Sequence, residues 1–142
     1  IGDFIFPLEI PQGEGITIGH RESSLIANIF NQGDVSCGMR VEFRALATVV
    51  NPSLFDVNRR EFIKVNKAME AGETLVITTH FGNKRMELIT SNGETSNAFN
   101  YVDSDSTFLQ LQPGDNVFRY DAEQGIENLE VAIYYTPLYL GV

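Results

Sequence analysis

The segment spanning residues 61–90 constrains the fold more than any other part of the sequence. Short stretches that alternate apolar and polar residues are separated by glycine-containing turns, at Gly72-Glu73 and at Gly82-Asn83. The stretch between these turns, residues 75–79, is rich in β-branched side chains, which favour strands. An α-helix of average length does not fit between turns so closely spaced. The segment therefore predicts a meander of antiparallel strands.

Similar patterns cover the rest of the chain. A long alternation over residues 39–50 predicts one long strand that ends at Asn51-Pro52, because proline cannot donate a hydrogen bond to a ladder. Asn92-Gly93 is a strong hairpin signal. About nine or ten strands result, with no convincing helix, and the predicted fold is all-β: a two-sheet antiparallel sandwich or jelly roll. The other strands are predicted at residues 4–10, 25–30, 85–90, near Thr95, at 117–120 and at 128–136.

Strand periodicity also predicts the core. Where apolar residues recur at every second position, one face of the strand lies against the core and the other is mostly wet. The side chains predicted to be buried on this basis are Met39, Val41, Phe43, Ala45, Leu75, Ile77, Phe108, Leu111, Val131 and Ile133.

The composition excludes several classes of protein. A chain of 142 residues suits one domain, residues 1–142, which can fold without a metal or disulfide. Cys37 is the single cysteine and cannot form an internal disulfide, and no cysteine or histidine cluster suggests zinc. The longest apolar run, residues 45–50, is far shorter than the roughly 20 residues that span a bilayer. The sequence predicts no cofactor and no membrane partner.

The charge distribution argues against nucleic acid as a partner. The net charge is −9, and residues 72–142 hold three basic and ten acidic residues, a net charge of −7. Proteins that bind nucleic acid usually present a basic face. Here a basic patch is conceivable only locally, at Arg59, Arg60, Lys64 and Lys67.

The ordered set of turn motifs resembles a known family. Its most recognisable members are Asn31-Gln32-Gly33-Asp34, Asn51-Pro52, Gly72-Glu73 and Pro113-Gly114-Asp115-Asn116, followed by a tyrosine-rich last strand and the ending Tyr139-Leu140-Gly141-Val142. Taken together, residues 25–142 resemble the C-terminal domain of siphophage distal tail proteins.

The resemblance implies a galectin-like β-sandwich on the outside of a homo-oligomeric ring, a hexamer. In that family the ring joins the tail tube to the baseplate or receptor-binding apparatus. The chain would then be the C-terminal part of a longer tail protein whose ring-forming domain precedes Ile1. The implied partners are other phage tail and baseplate proteins, and the implied location is the virion, after assembly in the host cytoplasm.

No arrangement of residues points to an enzyme. A glycosidase needs two carboxylates facing one cleft, but Glu127 and Glu130, three residues apart on a predicted strand, would face opposite sides. The two histidines, His20 and His80, have no predicted catalytic partners, and His80 is predicted to be an exposed turn residue. The sequence predicts a protein without enzymatic activity.

No metal site is predicted either. If their segment is extended, Asp103 and Asp105 share one face and could supply a fraction of the 6–8 oxygens that calcium needs. A solvated loop is the favoured interpretation of this segment.

Carbohydrate binding is the alternative function. A sugar site needs an exposed aromatic face with polar groups around it, and Tyr101, Tyr120 and Tyr134 qualify only if they face outward. Tyr134 is predicted to lie on the outer face of the last strand; if the long strand pairs beside it, the polar face of that strand lines the same surface. With no tryptophan in the chain, protein docking is favoured over a weak host-surface saccharide. The ligand-binding residues predicted for the alternative are Tyr134, Arg40, Glu42 and Arg44.

Overall fold

The structure is a computed structural model that describes residues 3–5, 16–18 and 26–140, with side chains from residue 26 to residue 140. The described residues form twelve β-strands and two single-turn 3₁₀ helices, and none of them lies in an α-helix. The all-β prediction is therefore confirmed. The strands are β1 (Asp3–Ile5), β2 (Ile16–Ile18), β3 (Ile26–Asn31), β4 (Arg40–Ala45), β5 (Val49–Asp56), β6 (Glu61–Lys64), β7 (Ala68–Met69), β8 (Thr74–His80), β9 (Asn83–Ile89), β10 (Thr95–Asn97), β11 (Gly114–Gln124) and β12 (Leu129–Tyr134).

The strands form a sandwich of two sheets. One sheet has seven strands in the order β10-β9-β8-β4-β12-β1-β2, and the other has the order β3-β11-β5-β6, with β7 beside β5. The pairings between described strands are antiparallel, apart from the parallel pair β1–β2. Of the predicted strand at residues 4–10, β1 covers the beginning, and residues 6–10 lie outside the described residues.

The core lies between the two sheets. Nine of the ten side chains predicted to be buried are buried, and Phe108 is partly buried against the core. Phe108 stacks on Phe99, with ring centroids 5.4 Å apart, at the side of the sandwich. Strand periodicity thus identified the inner face of the seven-stranded sheet, on β4, β8 and β12.

The predicted long strand over residues 39–50 is wrong. The exposed residues 46–48 separate β4, in the seven-stranded sheet, from β5, in the five-stranded sheet. Asn51-Pro52 does not end β5 but lies inside it, with Asn51 at a φ of 52° and Pro52 opposite Ala122. Ala45 and Val49 are both buried, because both sheets face the same core, and the alternation therefore continues across the crossing.

The segment at residues 61–90 is not a single meander. Strand β6 lies in the five-stranded sheet, whereas β8 and β9 pair in the seven-stranded sheet. The tight hairpin between β8 and β9, through Phe81-Gly82, is as predicted. The turns were therefore predicted correctly, but the sheet to which each strand belongs was not.

Residues 98–111 close one side of the sandwich. The N–H of Ala98 donates to the carbonyl of Met86 in the seven-stranded sheet (2.8 Å), and the N–H of Thr107 donates to the carbonyl of Phe62 in the five-stranded sheet (2.7 Å). This segment covers the β6 edge of the five-stranded sheet. The opposite edge of that sheet is β3.

Two of the turn motifs that carry the resemblance lie side by side. Asn31, at the end of β3, is in register with Gly114, at the start of β11. The buried side chain of Asn31 accepts from the N–H of Gly33 (2.9 Å) and donates to the carbonyl of Leu111 (3.2 Å). Asn116 is also buried and closes the neighbouring turn. Both motifs therefore stabilise the same corner of the sandwich.

Candidate interaction surfaces

The four predicted ligand-binding residues lie together. Strands β4 and β12 are neighbours at the centre of the seven-stranded sheet, and Tyr134 is in register with Arg40, as Glu130 is with Arg44. All of these side chains point away from the core, as does Glu42. The condition for this site, that the strand containing Arg40 pairs beside Tyr134, is met.

The polar groups of this surface mostly bind one another. The guanidinium of Arg40 lies 4.2 Å from the centre of the Tyr134 ring, and Arg40 Nε lies 3.1 Å from Glu42 Oε2. Arg44 pairs with Glu130 at 3.4 Å. The tyrosine face that would stack on a sugar is therefore already covered in part by Arg40.

The depression on this surface is small. It is lined by Glu42, Arg44, Glu130, Ala132 and Tyr134, and its volume is about 20 Å³. Small-molecule sites usually measure roughly 300–1,000 Å³. The surface thus resembles a solvated sheet face more than a preformed sugar site.

The tip of the β8–β9 hairpin carries the most exposed large apolar side chain among the described residues. Phe81 is 96% exposed, in the two-residue loop between His80 and Asn83. Gly82 follows it at a φ of 77°, a conformation that glycine adopts without strain. His80 is exposed at the end of β8, as predicted.

A larger depression lies beside this hairpin, and we call it the β9–β10 cleft. It forms where β10 ends at Asn97 and the chain turns inward to the buried Ala98. Its volume is about 240 Å³. The lining residues are Lys84, Arg85, Met86, Glu87, Thr95, Ser96, Asn97 and Phe99.

A second apolar surface lies at the β3 edge. There the C-terminal segment, residues 135–140, packs beside β3: Tyr135 Oη donates to the carbonyl of Phe30 (3.0 Å), and the N–H of Asp34 donates to the carbonyl of Leu138 (2.8 Å). Exposed apolar side chains are concentrated here, which is unusual for a surface in contact with water alone. They are Ile26, Phe30, Leu138, Tyr139 and Leu140.

The remaining tyrosine candidates fit a sugar site poorly. Tyr120 is buried in the core. Tyr101 is partly exposed, with the ammonium of Lys67 5.5 Å from its ring centre.

The carboxylates considered for catalysis or for calcium binding are not arranged as either site requires. Glu127 lies in a 3₁₀ turn, Ile126–Asn128, and not on a strand as assumed, whereas Glu130 lies on β12. Asp103 begins a turn rather than an extended segment. It accepts from the N–H of Asp105 (2.9 Å) and from Asn66 (3.2 Å). These hydrogen bonds, the one from Asp105 first, lower the pKa of Asp103.

No potential metal site was found in the described part of the chain, where no three histidine, cysteine, aspartate or glutamate side chains are grouped. His20 lies outside the described residues. Within them, no helix has the length and apolarity needed to cross a bilayer.

The basic patch predicted at Arg59, Arg60, Lys64 and Lys67 is largely neutralised by carboxylates. The hydrogen bond between Lys64 and Glu123 (2.8 Å) raises the pKa of Lys64 and lowers that of Glu123, so both groups are charged at neutral pH. Three of the four patch residues have carboxylate partners: Arg59 with Glu61, Lys64 with Glu123 and Lys67 with Glu73. The patch therefore offers little net positive charge to a phosphate backbone.

The fold and these surfaces define an all-β sandwich whose exposed groups suit contacts with other molecules. Residues 32–139 match the model of the siphovirus-type tail component, C-terminal domain. The chain belongs to this family. It is therefore a domain of a phage tail component, located in the virion tail and in contact with other tail proteins. No curated protein and no solved structure matches the chain.

Proposed function

We propose that this domain is a structural docking module of a distal tail protein, at the junction of the tail tube with the baseplate or receptor-binding apparatus. The family match over residues 32–139 carries the proposal. The sandwich, residues 1–142, would be the C-terminal part of a longer tail protein. The preceding part would form a homo-oligomeric ring, a hexamer, assembled in the host cytoplasm.

The exposed apolar residues support a docking role. Phe81 at the hairpin and Phe30 at the β3 edge are 96% and 57% exposed. Aromatic side chains are enriched at protein interfaces, where burying them contributes much of the binding energy. By contrast, none of the surfaces described gathers groups that would perform a reaction, so the domain is proposed to have no enzymatic role.

Immunogold electron microscopy of phage tails tests this location. With antibodies raised against the 142-residue chain, we expect gold at the distal end of the tail, where the tube meets the baseplate. Class averages of the tail tip should show six copies around the tail axis. Gold distributed along the whole tube, or confined to the head-proximal end, would contradict the junction role.

A carbohydrate-binding module is the second candidate, because the structure brings Tyr134, Arg40, Glu42 and Arg44 onto one surface. Saccharide binding should be weak, because the depression is small and the guanidinium of Arg40 covers part of the Tyr134 ring. We expect a dissociation constant on the order of millimolar, about −4 kcal/mol.

Titration with host cell-wall saccharides tests the second candidate. The variant Tyr134→Ala should lose the weak binding, while Tyr139→Ala, which removes a tyrosine on the C-terminal segment, should retain it. Micromolar binding that disappears in Tyr134→Ala would favour carbohydrate recognition over docking as the main role.

A further inference from the structure

The β8–β9 hairpin presents Phe81 on a firmly held support. Strands β8 and β9 pair from Thr74–Ile89 to His80–Asn83 without interruption, and Gln110 Nε2 donates to the carbonyl of Thr79 (2.6 Å). A Cβ atom at Gly38 would lie 2.6 Å from the Cα of His80, so the neighbouring loop packs directly on the base of the tip. The exposed ring of Phe81 is therefore presented in a defined position.

The same hairpin carries two cations that form no ion pair with a carboxylate of the described residues. Of the nine basic side chains in the described part, five form ion pairs with carboxylates there: Arg40, Arg44, Arg59, Lys64 and Lys67. Lys84 and Arg85 form none with any described residue, and both are exposed. In a chain with a net charge of −9, two adjacent cations that no described carboxylate pairs with favour an acidic partner.

The β9–β10 cleft adjoins these cations and has a polar lining. Thr95, Ser96 and Asn97 contribute hydroxyl and amide groups, and Phe99 contributes an aromatic wall. Glu87 also lines the cleft, so the lining holds two cations and one carboxylate. A volume of about 240 Å³ is below the range of small-molecule sites, roughly 300–1,000 Å³, and suits a side chain of a partner protein.

We propose that the β8–β9 hairpin tip and the β9–β10 cleft together form the docking surface for another tail protein. In this proposal Phe81 enters an apolar pocket of the partner, and carboxylates around that pocket pair with Lys84 and Arg85, one of them in the cleft. The inference rests on the proposed docking function and names the surface and the chemistry of the partner.

Two other occupants fit less well. A second copy of the chain would bring its own Lys84 and Arg85 against the same two cations of the first copy, and like charges repel. A saccharide would cover one face of the Phe81 ring, whereas a protein pocket covers both faces of a side chain that projects this far.

Substitutions in the full tail protein of the phage that encodes the chain test the proposal. Phe81→Ser and the double variant Lys84→Glu/Arg85→Glu should each reduce the number of complete tails, counted by electron microscopy, by at least about tenfold, as expected for interface hot spots. Because all three side chains are exposed, the melting temperature of the purified 142-residue chain should be unchanged.

Matched controls show whether a loss of complete tails is specific to this surface or follows from any similar substitution of exposed residues. Leu46→Ser removes an exposed apolar side chain from the loop between β4 and β5, and Arg59→Glu/Arg60→Glu reverses an exposed basic pair at another turn. Both controls should assemble tails at close to the wild-type level.

Second-site suppressors of Lys84→Glu/Arg85→Glu identify the partner. We expect them in a different tail protein, as acidic residues replaced by lysine or arginine. Normal tail numbers in both hairpin variants would overturn the proposal, as would suppressors confined to this chain. Complete tails that fail to attach to cells would assign the hairpin to the host surface and would also overturn it. If immunogold still places the domain at the tail junction, the docking function survives such a result.

Discussion

Replacing Phe43 with alanine is expected to lower the free energy of unfolding by about 3–5 kcal/mol. Phe43 is fully buried on β4, a central strand of the seven-stranded sheet, between Leu75 of β8 and Val131 of β12. Strands on both sides hold the backbone in place, so the structure can collapse only partly into the space that the ring leaves. Urea or thermal unfolding of the purified chain measures the loss.

The matched control for Phe43→Ala is Phe81→Ala. It removes the same ring from a position that is 96% exposed, and its effect on stability should stay within about 0.5 kcal/mol. If the two variants unfold alike, the register of β4 is wrong, since that register places Phe43 in the core.

Periodicity predicted which residues are buried better than it predicted which strands pair. The alternation from Met39 to Val49 predicts that one face lies against the core throughout. The apolar residues of this alternation are buried, except for Ala47. It does not reveal that the chain changes sheet at residues 46–48, because the inner faces of both sheets share one core. For the same reason β6 and β8 were expected in one meander although they lie in opposite sheets.

The candidate sites differ in how far sequence could predict them. The cluster of Tyr134 with Arg40 follows from the period of two in β4 and β12, once those strands are paired. The hairpin surface was missed, because an apolar residue in a turn can point to the core or to solvent, and no periodicity decides between them. The available signal was the lysine-arginine pair next to the Phe81-Gly82 turn in an otherwise acidic half of the chain.

The turn motifs that carry the resemblance also stabilise the fold. A substitution at Asn116 tests this. Asn116 is 2% exposed. Its Oδ1 accepts from the N–H of Gln112 (2.9 Å), and its Nδ2 contacts the carbonyls of Gln112 (2.8 Å), Gly114 (3.0 Å) and Ile29 (3.2 Å). One side chain therefore closes the turn before β11 and ties it to β3.

Asn116→Ala should lower the free energy of unfolding by about 3 kcal/mol, because each buried polar group left without a partner costs about 1–3 kcal/mol. The control is Asp115→Ala at the next position. Its exposed carboxylate accepts only from Asn28 among the described residues (3.1 Å), and its loss should cost at most about 0.5 kcal/mol. Urea unfolding compares the two variants, and hydrogen exchange should show faster opening of β3 in Asn116→Ala, because that variant loses the contact with Ile29. Equal stability of the two variants would mean that water replaces the buried amide, and the motif would then act through turn propensity alone.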